Sequence, residues 1–153
     1  MPFKTIFAIF LIIAFVIFAF IAIKGFLNIG KSSSVGLFYE ELQKEVDDAM
    51  RSQAVDNTDF KINLPGKITT ICFANLSAKI TNTSESYNQI KDFDIYEANT
   101  FLLPTDKASG MEWKLIKSIN ITKITSRSNP YCVSTKQNLR IKKDFYDRLV
   151  TIE

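Results

Sequence analysis

IFAIFLIIAFVIFAFIAI, residues 6–23, is a run of eighteen consecutive positions drawn only from Ile, Phe, Ala, Leu and Val, with Lys4 just before it and Lys24 just after. At a rise of ~1.5 Å per residue it makes a helix of roughly 27 Å, close to the ~30 Å hydrocarbon thickness of a bilayer. A core helix of a soluble domain carries a polar face, and this run has none. A cleaved secretory signal is the rival reading. Its apolar region is typically ~7 to 15 residues long and ends at a small-x-small site. Here the run is longer, and the best such site, Ile23-Lys24-Gly25, has Lys inside it. Residues 1–24 are therefore expected to be an uncleaved transmembrane signal anchor, with the lipid bilayer as first partner.

Orientation is not decided by charge, because Lys4 and the amino group on one side nearly balance Lys24 and Lys31 on the other. Cys72 and Cys132 are the only cysteines, a number suited to one disulfide in an oxidising compartment. Two buried free thiols are the alternative. Asn75, Asn82 and Asn120 each open an Asn-x-Ser/Thr glycan-acceptor triplet. These features favour a C-terminal domain outside the cytoplasm.

Three Gly and three Ser fall between Gly25 and Gly36, which lowers helix propensity, and residues 25–36 are expected to form a juxtamembrane hinge. From Leu37 to Gln53 the period is helical. Phe38, Leu42, Val46, Ala49 and Met50 share one face and the acids take the other, with Ser33 or Ser34 as the cap. Beyond, the period becomes alternating. Strands are expected at Phe60 to Leu64 and at Lys67 to Leu76, separated by the turn residues Pro65-Gly66. In the second, Ile68, Cys72 and Ala74 face one way and Ile71 and Phe73 the other, so it reads as a central, covered strand. Thr81 to Gln89 reads as a loop, and Thr100 to Leu103 as the end of a strand. Met111 to Thr125 alternates, placing Asn120 on the polar side as the most accessible acceptor. Strands at Tyr131 to Ser134, Leu139 to Lys142 and Leu149 to Ile152 complete an antiparallel pattern. The expected class is α+β: an N-terminal transmembrane helix, a short amphipathic helix, then an antiparallel sheet domain of about six strands over residues 37–153. A Cys72–Cys132 bond would tie the central strand to a C-terminal hairpin.

From Lys31 onward 17 basic and 16 acidic residues nearly cancel, which argues against nucleic acid as a partner. The charges are unevenly placed. Leu37 to Asp56 carries a net of −4, and Lys107 to Glu153 a net of +6. Such segments attract within a domain or between copies, or stand as two solvated faces. The chain has no His, which removes histidine-based nucleophilic arrangements and mixed Cys/His zinc sites. No phosphate-binding Gly-rich loop follows a strand, and the carboxylate pairs Glu40/Glu41 and Asp47/Asp48 sit on a predicted solvated helix face. Neither an enzyme nor a cofactor is expected.

An apolar helix, an amphipathic helix and an antiparallel sheet with a late disulfide resemble the plan of type IV pilins and pseudopilins. Phe3-Lys4-Thr5 departs from their Gly-ended basic leader, and no acid precedes Glu40 where they usually carry an early Glu. Their apolar helix commonly continues into the amphipathic one, whereas Gly25, Gly30 and Gly36 are expected to interrupt it here. A closer resemblance, over most of the chain, is to a group of uncharacterised single-pass membrane proteins common in archaea. It rests on Phe38/Leu42, Leu64-Pro65, Ile71-Cys72-Phe73, Cys132-Val133 and Val150-Thr151-Ile152. That resemblance implies a fold and no activity.

The expected function is a membrane-anchored extracytoplasmic structural or assembly subunit of the cell envelope, acting by protein contacts. A pilin-like fibre subunit and a surface ligand-binding module are the alternatives. Thr5, Ala8, Ile12, Phe15, Ala19, Ala22 and Phe26 follow a seven-residue spacing, and their small alanines suit self-association or a partner helix within the membrane. Plain lipid exposure is the other reading of that face.

Overall fold

The computed structural model describes residues 2–52 and 56–153. One helix, α1, runs from Pro2 to Arg51 without a break. Both expected helices are present, as two halves of this element, and the hinge expected at residues 25–36 is corrected to helix. Two separate helices would need two nucleations and would leave twice as many unpaired terminal N–H and C=O groups. Against that, a glycine costs roughly 1 kcal/mol. Ser34 does not cap a second helix. Its hydroxyl donates back to the Gly30 carbonyl at 2.9 Å, inside the continuous one. Gln53, the expected last helical residue, lies outside the described residues.

The C-terminal half of α1 packs into the head through Val35, Phe38, Leu42, Val46 and Ala49, each at most 1% exposed. Burying such side chains is worth about 1.5–3 kcal/mol apiece for the larger ones, so this stripe fixes the head on the helix. Seven strands follow, in two antiparallel sheets rather than one. The first has the order β1 (Asp56–Phe60), β6 (Leu139–Lys143), β7 (Thr151–Ile152). In the second the order is β4 (Trp113–Lys114), β3 (Thr100–Leu103), β2 (Thr70–Phe73), β5 (Tyr131–Ser134). α1 lies against β6 and β1. Its stripe, Leu139 and Ile141 of β6, and Ile71, Phe73, Leu102 and Val133 of the second sheet form the main core. The opposite face of the second sheet, with Cys72, Ala74, Phe101 and Leu103, is covered by Ile90 at the end of α2 (Glu85–Ile90) and by Phe93 in the 3-10 turn that follows.

As expected, β2 is central and apolar on both faces. Ile68, however, joins Ile71 and Phe73 in the main core instead of siding with Cys72, because it precedes the strand and the alternation starts only at Thr70. Three further expectations are corrected. The first strand ends at Phe60 instead of starting there, with Ile62 buried just beyond it. The expected loop Thr81 to Gln89 contains the start of α2. Of Met111 to Thr125 only Trp113–Lys114 is strand. The ladder stops because the buried Asn99 amide takes the place of a neighbouring backbone: it accepts from Ile116 N–H at 2.9 Å and donates to Ile116 C=O at 2.8 Å. The chain then turns at Ser118, whose φ is 65°, and enters the single helical turn α3 (Ile121–Ile124).

Candidate contact surfaces

Residues Phe3–Phe26 of α1 are long and apolar enough to cross a membrane, and the head covers none of them. Twenty-four residues reach about 36 Å. Ala8, Ile12, Phe15, Ala19 and Ala22, the expected association face, all lie in this segment, together with Thr5 and Phe26. Every side of the segment is open, so burial distinguishes no face.

Cys72 and Cys132 are bonded and stand directly opposite each other in β2 and β5. The bond therefore joins neighbouring strands of one sheet. It does not reach a β5–β6 hairpin, because β6 belongs to the other sheet.

The three acceptor asparagines are spread over the head, and all are half-buried. Asn75 accepts from Ser77 N–H at 3.2 Å in a local turn. Asn82 accepts from Ser84 N–H, and its amide donates to the Ser128 hydroxyl at 3.3 Å. Asn120 caps α3 by accepting from Lys123 N–H at 3.0 Å, and is half-buried like the other two. The residue that organises the first two is one the sequence did not single out. Asn129, 2% exposed, donates to Asn75 C=O at 2.8 Å and accepts from Asn75 N–H at 3.1 Å. Its backbone carbonyl accepts from Thr81 and Asn82.

Beside the packed half of α1 runs a groove of about 740 Å³, walled on one side by Tyr39, Glu40, Gln43 and Asp47 and on the other by Met111, Trp113 and Ile116. It exists because two side chains of α1 hold the segment after Gly110 at separate points. The Tyr39 hydroxyl donates to Met111 C=O at 3.1 Å. Gln43 accepts from Lys117 N–H at 2.8 Å and donates to Lys117 C=O at 3.3 Å. Burial, with the Glu112 charge second, drives the Tyr39 phenol far above its ordinary pKa, so it remains a donor.

No family model, curated protein or solved structure matches this chain. Its surfaces must be read on their own chemistry. Among the described residues no three His, Cys, Asp or Glu side chains are grouped to hold a metal ion. The acidic and basic segments do not pair with each other either: among the described residues, no ion pair joins the acids of α1 to the bases after Lys107. Among the described residues the acids of α1 form one ion pair, Asp48–Arg51 at 3.9 Å. The basic segment pairs within itself through Lys123–Asp147 at 2.7 Å and Lys142–Asp144 at 3.5 Å, and with β1 through Arg140–Asp59 at 3.5 Å.

One open feature escaped the pattern of alternation. Phe145 and Tyr146, between β6 and β7, are 65% and 93% exposed, in edge-to-face contact with centroids 5.1 Å apart. The signal for them was their setting. Two aromatics between Asp144 and Asp147 stand in a turn, and a core strand would not bracket them with acids.

Proposed function

We propose that this chain is a membrane-anchored subunit of the cell envelope that acts by protein contact, with its head outside the cytoplasm. The observation that carries the reading is α1 itself: an uncovered apolar half continues without interruption into the half that forms the core of the head. Leaving so many large apolar side chains in water would cost on the order of tens of kcal/mol, and lipid or a bundle of like helices removes that cost. The disulfide suits an oxidising compartment and supports the outward placement of the head. From Phe26 to Val35, the first core residue, the helix climbs roughly 14 Å, which sets the head just beyond the headgroups. Alkaline carbonate washing of native membranes tests the anchor, and the full-length chain is expected to stay in the pellet. Cross-linking in those membranes tests the subunit role. Multimers are expected, and only monomers at native abundance would defeat it.

A pilin-like fibre subunit is the second reading. It is favoured by the unbroken helix, which removes the departure from the pilin plan expected at Gly25, Gly30 and Gly36. Filaments sheared from cells and containing this chain would support it over a subunit that stays in the membrane plane.

A further inference from the structure

We propose that the membrane-facing end of the head is a lipid-binding surface, on which Lys61, Lys67 and Lys136 seat the head against anionic headgroups of the leaflet from which α1 emerges. This rests on the anchored reading above and adds what the head itself meets.

Three segments of the head are placed at that end by their contacts with α1 and with one another. β1 runs back along α1 toward the bilayer, since Asp56 follows closely on Arg51 while the Phe60 ring meets that of Phe38 at 6.0 Å. Residues 61–69 therefore leave β1 at its membrane-near end. Phe60 is the register partner of Leu139, so residues 134–138, which lead into β6, lie at the same end. Thr135 joins the two segments: its N–H donates to Thr69 C=O at 2.9 Å and its hydroxyl to Ile68 C=O at 3.1 Å. Thr69 N–H in turn donates to Leu103 C=O at 2.8 Å, which brings in residues 104–110, and Met111 beyond them lies against Gly36 of α1.

Charge separates along the helix axis. These three segments carry Lys61, Lys67, Lys107 and Lys136 against Asp106, a net of +3, and all five residues are exposed. Lys107 is paired with Asp106, whereas among the described residues Lys61, Lys67 and Lys136 enter no ion pair. The rest of the head from Leu37 onward holds 12 bases and 15 acids, a net of −3. Its nearest acids stand farther from the bilayer: Asp59 is paired with Arg140, Glu112 is bonded through its carbonyl to Leu102 inside β3, and Glu40 is a turn beyond Gly36. A surface built only for solubility intersperses the two signs. Of the ~14 Å that α1 climbs from Phe26 to Val35, the headgroup layer fills roughly 5–8 Å, and the gap that remains is about one Debye length at physiological ionic strength. Lysines at that range feel an anionic surface, each favouring the seated head roughly fivefold.

The test uses full-length chain in nanodiscs, with a fluorophore on Asn138→Cys, an exposed position at this end, and a nitroxide-headgroup lipid as short-range quencher. Quenching is expected to be stronger in discs containing phosphatidylglycerol than in pure phosphatidylcholine. It should fall to the phosphatidylcholine level in about 1 M salt, where the Debye length is ~3 Å. Each of Lys61→Gln, Lys67→Gln and Lys136→Gln is expected to lower the ratio of seated to free heads roughly fivefold, and the three together to remove the lipid dependence. Arg148→Gln, in the turn after β6 at the far end of the head, is expected to leave it unchanged. Equal quenching in the two lipids, a lipid dependence that survives the triple variant, or an equal loss in Arg148→Gln overturns the seating, and the anchor stands as long as the chain resists carbonate. Release of the full-length chain by carbonate defeats both.

Discussion

Replacing Gly25 and Gly30 together by alanine separates a rigid rod from a hinge. A Cβ built at either position meets nothing within 4 Å, so the change adds no clash. In an existing helix each replacement gains about 0.5–1 kcal/mol, partly by reducing the freedom of the unfolded segment. Together they should stabilise residues 25–34 by about 1–2 kcal/mol, equivalent to a roughly five- to thirtyfold slowing of local opening. Hydrogen–deuterium exchange on full-length chain in nanodiscs reads this directly. Wild-type peptides covering residues 26–36 should already be protected, and the double variant should exchange more slowly by that factor. Gly30→Pro supplies the opposite sign: it removes a helical N–H at a cost of about 3 kcal/mol and should bring exchange in this segment toward coil rates. Wild-type exchange at coil rates, unaltered by the alanines, would refute the continuous helix and restore the hinge.

Reducing Cys72–Cys132 releases a link spanning 60 residues, for which the chain-entropy estimate is about 4 kcal/mol. The melting temperature should fall by roughly 15 °C once thiol labelling shows the bond is open, and an unshifted melt would contradict that role. Thr151 lies 4% exposed, and its buried hydroxyl has no hydrogen-bond partner. Thr151→Val should therefore raise stability by about 1 kcal/mol in a urea titration at unchanged slope. Tyr39 stays protonated in the folded head well above the ordinary 10.0 at which an unfolded tyrosine ionises. The folded state thus binds the extra proton, and this group's contribution to stability is complete below pH 10 and is lost as pH rises beyond it. Tyr39→Phe should cost about 1 kcal/mol at neutral pH through the lost bond to Met111, yet show a shallower alkaline decline; parallel slopes would contradict the assignment.

Sequence pattern carried the elements whose burial repeats at the helical or strand period. The stripe Phe38, Leu42, Val46 and Ala49, the two-faced β2, and the strands at Thr100, Tyr131 and Leu139 were all legible for that reason. It failed where a side chain stands in for backbone. Asn99 ends the fourth strand and Asn120 starts a helical turn, and neither act leaves a periodic trace. Glycine content misled at residues 25–36, because local propensity of about 1 kcal/mol per residue was set against a helix already nucleated on both sides. The contact surfaces were less legible still. A groove arises from where Tyr39 and Gln43 hold a distant segment, and no window of sequence contains both walls.

Continuity of α1 also relates surfaces that were separate in sequence. Each heptad of an α-helix drifts by only about 20°, so positions seven apart stay near one side of the rod. Ala8, Phe15 and Ala22 lead by sevens to Gly36 and Gln43; Ile12, Ala19 and Phe26 lead likewise to Glu40 and Asp47. The groove wall is formed from Gly36, Glu40, Gln43 and Asp47, so it lies within roughly a quarter turn of the alanine-bearing side. With a hinge at residues 25–36 that relation would vanish. Along an unbroken helix it holds, so the alanine-bearing side of the apolar half and the groove wall of the packed half keep one fixed rotational relation.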